Sequence, residues 1–288
     1  MEKHAYLIMA HRDDATFRTL VSLLDNEYND IYIHMDKKVK KYNIKEIEQL
    51  VKKSHIYHIE RAKVSWGGYS LINCELNLLN SAVKNGKYQY YHLLSGQDLP
   101  LKTQKYIHNF FEKNKGKEFI SFRSKEFTYQ DRVLYFHPLQ ELLKRKNIRL
   151  AKISSMLQKP FVKRNNHISF QKGANWFSIT NNLAQYVLNN RTWIKKHFKQ
   201  TICADEIFLQ TLIINSDFKN NLYLKDYKDD WNSHMRYIDW NRGSPYTFKS
   251  SDFDELVKSK ALFARKFDSN IDSSIVNKIY DFVRKTNI

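Results

Sequence analysis

The sequence predicts an α/β fold, a mostly parallel Rossmann-like sheet flanked by helices. Short apolar runs alternate with amphipathic stretches from Ala5 to Phe122. Alternation of that kind argues repeated strand–helix units around a parallel sheet. The material for a large core is present, since 42% of the 288 residues are hydrophobic and 14% aromatic. Such a composition excludes a disordered chain. Seven Gly and four Pro exclude a collagen or a low-complexity polymer.

In order along the chain, Ala5–Ala10 is the first strand candidate, and Phe17, Leu20, Val21 and Leu24 recur at helical spacing. Ile31–Met35 reads as the second strand, with a helix marked by Ile44, Ile47, Leu50 and Val51 after it. His55–Ile59 is a short third strand. The clearest helix carries Leu71, Cys74, Leu78, Leu79, Ala82 and Val83, opening after Trp66-Gly67-Gly68 and ending near Gly86. Tyr88–Leu94 is a strand, Ile107, Phe110 and Phe111 mark a helix, and Phe119–Phe122 closes the series as a further strand. Later come a strand at Trp176–Ile179, a helix at Asn182–Leu188 and an apolar helix at Glu206–Ile214. An irregular, Trp- and Asp-rich stretch runs from Asp226 to Pro245. No repeat or Pro/Gly/Ser-rich linker divides the chain, so residues 1–288 are expected to form a single unit.

Charge points to an anionic partner. Lys and Arg number 48 against 30 Asp and Glu, a net +18. Between Leu142 and Arg164 stand eight basic residues and no acidic one, along an approximate stripe of Leu139, Leu143, Leu150, Ile153 and Leu157. A basic amphipathic helix here could lie on an anionic membrane, and a solvated face on an ordinary helix explains it equally well. No apolar run approaches the ~20 residues of a spanning helix. Cys74 and Cys203 lie in apolar helix-like runs and read as free, buried thiols. A nucleic-acid-binding protein is the rival class, but the charge is diffuse and no helix-turn-helix, zinc-finger or RNP motif accompanies it.

Motifs with a direct chemical reading are scarce. No Gly-x-Gly-x-x-Gly, Walker loop or zinc spacing occurs. The Asp252-x-Asp254 pair follows Ser250-Ser251 and reads as a helix cap before it reads as a metal site. Asp36 ends a strand, where a carboxylate can accept hydrogen bonds from a ribose or base, or cap a turn. Ser95–Pro100 is a polar loop directly after an apolar strand. Asp205-Glu206 opens an apolar helix; its carboxylates suit the helix dipole, and Glu206 could equally be a general base. Arg265-Lys266, flanked by Phe263 and Phe267, could clamp a diphosphate, or be plain surface.

The order of these blocks is more specific than any of them. Ile33-His34-Met35-Asp36 is followed by Trp66-Gly67-Gly68-Tyr69-Ser70 and by Tyr91–Pro100. Lys172–Phe177, Ala204-Asp205-Glu206, Tyr237-Ile238-Asp239-Trp240 and Leu262–Asp268 complete the series. From about His4 to Asp268 the chain resembles the core-2/I-branching enzymes (glycosyltransferase family 14), which include β-1,6-N-acetylglucosaminyltransferases and peptide O-xylosyltransferases.

That resemblance implies a glycosyltransferase-A type fold, a UDP-sugar donor, inversion at the anomeric carbon and no divalent metal or other cofactor. Residues 1–125 would form the UDP-binding part and 126–288 the acceptor-binding and catalytic part. Glu206 matches the catalytic base, and Arg265 and Lys266 match the block that meets the donor diphosphate. Asp36 matches the position facing the uridine, with His11, Ser65 and Trp66 lining the same pocket. Asn175 stands where the xylosyltransferases have Asp and the N-acetylglucosaminyltransferases a small residue. That departure from both patterns leaves the donor sugar open; the resemblance to the family as a whole puts N-acetylglucosamine first, with xylose, glucose and galactose as alternatives. Asp98, Trp176, Trp240 and Arg242 fall on the acceptor side, Trp240 as a flat apolar ring for a sugar face. Animal members carry an anchor and several disulfides. The near-immediate first strand and two cysteines here imply a bacterial, cytoplasmic type, peripheral on the inner membrane face through 142–164. Its acceptor would be a glycan or lipid-linked oligosaccharide of surface-polysaccharide or lipooligosaccharide synthesis, with no nucleic-acid partner.

Overall fold

β1 (His4–Ala10) lies at the centre of a five-stranded sheet. Parallel neighbours flank it: β2 (Asn29–Met35), which also pairs with β3 (His55–His58), and β4 (Tyr90–Ser95). The computed structural model describes residues 1–138, 140–142, 155–161, 164–228 and 231–285. β5 (Asp98–Pro100) leaves the end of β4 for a second sheet, and β6 (Ser178–Thr180) returns antiparallel against β4. The strand order is β3-β2-β1-β4-β6. The second sheet runs β5-β8-β7, with β7 at Arg236–Ile238 and β8 at Phe263–Arg265.

Helices cover both faces of the large sheet, which is why its strands read as continuous apolar runs. They are α1 (Ala15–Leu23), α2 (Ile44–Glu48), α3 (Tyr69–Asn85), α4 (Gln104–Lys113), α5 (Gln130–Val133), α6 (Asn181–Asn189), α7 (Arg191–Phe198), α8 (Phe208–Ile214), α9 (Phe253–Lys258) and α10 (Ser273–Lys285). Alternation along β1 assigns the faces. Tyr6 and Ile8 enter a core with Phe17, Leu20, Phe111 and Ile279 from α1, α4 and α10. Ala5 and Leu7 enter the opposite core with Ile72, Leu79, Leu183 and Leu212 from α3, α6 and α8. Asp14 begins α1 by accepting the Phe17 N–H at 3.0 Å. The α/β class, the parallel-rich sheet and the flanking helices are thus those expected.

Three local expectations change. Phe119–Phe122 forms no extended ladder. Phe119 exchanges two backbone bonds with Ser178, and beyond it the backbone turns to another partner. Arg123 N–H donates to the Lys172 carbonyl, and a Cβ on Gly173 would stand 1.8 Å from the Ser121 oxygen, so only glycine passes there. Glu206 is not inside the apolar helix. It ends a 3-10 turn, Ala204–Glu206, entered through Cys203 at φ 47, and α8 starts at Phe208. The irregular 226–245 stretch contains β7, one strand of the unforeseen small sheet.

Among the described residues, no helix is long and apolar enough to cross a membrane. Most of the basic stretch 142–164, at 143–154 and 162–163, lies outside the described residues.

Phe119 is fully buried and packs on Phe111 at 4.9 Å and Tyr223 at 4.5 Å, joining the two chain halves. Phe119→Ala is expected to cost about 3–5 kcal/mol, read from the urea midpoint. A loss below about 1 kcal/mol would show that this contact does not hold the halves together.

Candidate active site

The carboxyl ends of β1, β2 and β4 meet at one edge of the sheet, where ligands of open α/β sheets bind. His11 follows β1. Its imidazole is pushed below the usual range by desolvation, then by Arg12, Lys266 and Arg265. Asp36 follows β2 and is 4% exposed. Its carboxylate accepts the Lys38 N–H at 2.8 Å, with the Lys38 ammonium 3.2 Å away. Arg61 fixes that corner by donating to the carbonyls of Met35, Asp36 and Val39. The 65–68 turn stands beside it, with Trp66 46% exposed and the Ser65 N–H bonded to the Ser70 hydroxyl at 2.9 Å. Gly67, at φ 72, accepts the Cys203 N–H at 2.9 Å, tying this turn to the Ala204–Glu206 segment.

The Phe263–Asp268 block closes on the same edge. Arg12 bonds Asp268 at 2.8 Å, and the Phe267 N–H donates to the Gln97 carbonyl. The Arg265 guanidinium stacks 4.0 Å above Trp176 and lies 3.6 Å from Asp98. Its side chain is only 12% exposed, and burial pulls its basicity below that of a free guanidinium. Asp98 and Trp176, placed on the acceptor side by the resemblance, both contact Arg265. The Asp98 side chain is 2% exposed, and its oxygens take the Ser95 N–H at 2.9 Å and the Ser95 hydroxyl at 2.8 Å. This carboxylate ties the Ser95–Asp98 turn to Arg265. Trp176 lies beneath Arg265.

A cleft of about 920 Å³ opens next to these groups. Its walls include Glu206, Arg123, Arg132, Lys172, Trp231 and Trp240. Glu206, its side chain 34% exposed, meets the Arg132 guanidinium and the Lys172 ammonium, each 3.1 Å from Oε2. Trp240 is 55% exposed, its ring open to the cleft. Arg242 also lines the cleft, but its guanidinium is engaged by Asp239, Asp252 and Glu255 and lies 4.3 Å above Tyr246. It holds the Trp240 loop in place. Asp252 also accepts the Lys249 N–H at 2.7 Å, the capping role its sequence context suggests.

Behind Glu206 lies a buried carboxyl pair. Burial, then the neighbouring Glu206 charge, raises Asp205 from 3.8 to about 7. Glu75 on α3 is 2% exposed and is pushed well above the usual range by burial, with Asp205 adding to it. A side-chain interaction with Asn175 opposes part of the rise at Glu75. Asn175 thus faces this buried pair.

The fold gathers the sequence candidates into two groups. His11, Asp36, Ser65, Trp66, Arg265 and Lys266 surround the strand ends, and Glu206 and Trp240 share the cleft. The sequence reading assigns no role to Arg123, Tyr129, Arg132 or Lys172, although Lys172 stands inside one of its blocks. Their signal is spatial, since residues 123, 129, 132, 172 and 206 converge only through the 173–206 and 123–172 backbone bonds.

Residues 4–258 match the Core-2/I-Branching enzyme family, and the chain belongs to that family of glycosyltransferases. It is 24% identical to mouse xylosyltransferase 2 over 302 residues, covering 96% of this chain and 33% of that protein. It is 25% identical to human N-acetyllactosaminide β-1,6-N-acetylglucosaminyl-transferase over 280 residues, covering 92% of this chain and 68% of the relative. The chain thus spans about a third of the length of the xylosyltransferase 2 relatives. The apo crystal structure of mouse xyloside xylosyltransferase 1 aligns with a TM-score of 0.39 at 8% identity, over 92% of this chain and 97% of that one.

An acid whose folded pKa is raised binds more protons folded than unfolded, so it destabilises the fold increasingly as pH rises from 3.8 to about 7. Asp205→Asn removes that penalty. Urea midpoints of the variant relative to the parent should therefore improve steadily across this window and level off above it. A pH-independent difference would show that Asp205 ionises normally.

Proposed function

We propose that this protein transfers a sugar from a UDP-sugar to a glycan hydroxyl with inversion, and without a divalent metal. The observation that carries the reading is Glu206 at the cleft wall beside exposed Trp240, next to the edge where Arg265, Lys266 and His11 gather. Inversion needs one in-line displacement. Glu206 takes the proton of the acceptor hydroxyl as its oxygen attacks the anomeric carbon. Both cations meet Glu206 at Oε2, which fixes the plane of the carboxylate. Trp240 offers its face to the acceptor ring. Arg265 and Lys266 stabilise the negative charge that grows on the departing diphosphate, held ready before the reaction begins. The carboxyl end of β2, with Asp36, and the Ser65–Trp66 turn hold the uridine.

N-Acetylglucosamine is the donor sugar proposed first, with xylose, glucose and galactose as alternatives. The acceptor proposed is a growing glycan or lipid-linked oligosaccharide in bacterial surface-polysaccharide synthesis, reached at the membrane face through the basic segment 142–164.

UDP release from a panel of UDP-sugars, with EDTA and with Mn²⁺, tests the reading. Turnover of one donor in EDTA is expected, and dependence on Mn²⁺ would overturn the metal-free route. Glu206→Gln should lower kcat about 10²–10⁴-fold with the fold intact. An unchanged kcat would remove Glu206 as the base. Lys266→Ala should lose both turnover and UDP affinity, and Mg²⁺ should restore neither.

A further inference from the structure

Phe161, Leu157 and Met156 are the three most exposed large apolar side chains among the described residues, at 87%, 73% and 72%. They fall within one short stretch of chain, 156–161, and Phe136, itself exposed, is tied to the same stretch. The Phe136 N–H donates to the Gln158 side-chain oxygen, and the Phe136 carbonyl accepts from the Gln158 amide, both at 2.9 Å. The Arg164 guanidinium covers the Phe136 ring at 4.9 Å and donates to the Val133 carbonyl, and the Arg164 N–H donates to the Leu134 carbonyl. The exposed side chains therefore project from a stretch anchored at two points. Grouped apolar surface held out in water marks an interaction site.

The surrounding charge selects the partner. From Leu142 to Arg164 the sequence has eight basic residues and no acidic one, and Lys159 lies exposed between Leu157 and Phe161. Apolar side chains interleaved with cations match a bilayer surface, which offers acyl chains beneath anionic headgroups. A second copy of this chain would bring the same cations against one another, and the net +18 opposes it.

We propose that Phe136, Met156, Leu157 and Phe161 form a wedge that enters an anionic lipid surface, with Lys159 at the headgroups. The proposal rests on the reading that the acceptor is met at a membrane face, and it adds the side chains that hold the protein there. Arg132 of α5, one of the cations on Glu206, is four residues from Phe136, so their α-carbons are at most ~14 Å apart. An inserted wedge thus keeps the Glu206 cleft beside the lipid surface, where a lipid-linked acceptor is confined.

Sedimentation of the full chain with phosphatidylcholine vesicles, with and without phosphatidylglycerol, tests the proposal at physiological salt. The parent should bind the phosphatidylglycerol vesicles. Met156→Ser, Leu157→Ser and Phe161→Ser together should weaken that binding at least ~10-fold, with the urea midpoint unchanged because all three positions are exposed. A label separates insertion from adsorption. Cys74 and Cys203 are buried, so a Phe161→Cys variant takes a thiol-reactive NBD dye at that position, and its emission should rise and shift to the blue on the same vesicles. Retention of binding by the triple variant, or a label that stays in water, overturns the wedge and leaves the membrane-face reading standing. Absence of binding to phosphatidylglycerol vesicles overturns both. A parent dimer that the triple variant converts to monomer assigns the patch to a second copy and overturns the wedge. UDP release is read separately, so failure of the transferase reading is not mistaken for failure of the wedge.

Discussion

One buried carboxylate holds the two sheets in register. Asp98 opens β5 directly after β4, faces Arg265 across the β5–β8 pairing and takes both bonds that Ser95 offers. A charge removed from water is tolerable only with compensating partners. Asp98 has two cations in its field, Arg265 beside it and Arg236 on β7. Arg236 is 1% exposed and has no acidic hydrogen-bond partner; its guanidinium donates to the Leu93 and Phe177 carbonyls and the Ser178 hydroxyl, and burial brings it down to about 9. Asp98 thus makes both arginines bearable. The consequences spread outward, because Arg265 sets the ring of Trp176 and the start of the Lys266 segment, and β7 leads to Trp240.

The charge of the molecule sorts into two functions on this scaffold. Around the strand ends, Arg265, Lys266 and Arg12 lie close enough to depress the His11 imidazole, with Arg12 paired to Asp268 and Arg265 to Asp98. In the cleft, cations instead flank a carboxylate and an aromatic ring. The first arrangement suits a diphosphate and the second an activated hydroxyl. Lys172 and Glu206 belong together because Gly173 threads between Ser121 and the Glu206 carbonyl, where no side chain fits.

What could be read from the sequence follows how far each signal reaches along the chain. β1, β2 and β4 are covered on both faces, so their apolar runs are unbroken, and α3 repeats its apolar positions through 17 residues. β5, β7 and β8 are three residues each, too short for any periodicity, and they exist because each pairs with a distant partner. Phe119 carries a strand-like composition, yet a single bridge is all its neighbours permit. Glu206, Arg265 and Lys266 stood out through the order of blocks around them and not through their own spacing. For Asp98 and Trp176 the blocks mark the place in the chain, while the contact with Arg265 that each makes depends on burial and on strand pairing, which no local pattern shows. Arg123, Tyr129 and Arg132 carry no local pattern, since α5 spans only four residues and the nearby basic run masks them in any count of charge.

The Arg242 knot has an entropic consequence. The loop after β7 exposes Trp240, and such loops usually lose much freedom when a ligand arrives. Here Asp239 accepts the Asn241 and Arg242 N–H groups, and the Arg242 side chain crosses to Asp252 and Glu255 on the next segment. The ordering has been done during folding. A ligand meeting Trp240 would therefore find a rigid platform, and little of its binding energy would be spent on freezing the loop. A rim of this kind favours ligands whose shape already fits it over those that must mould their site as they bind.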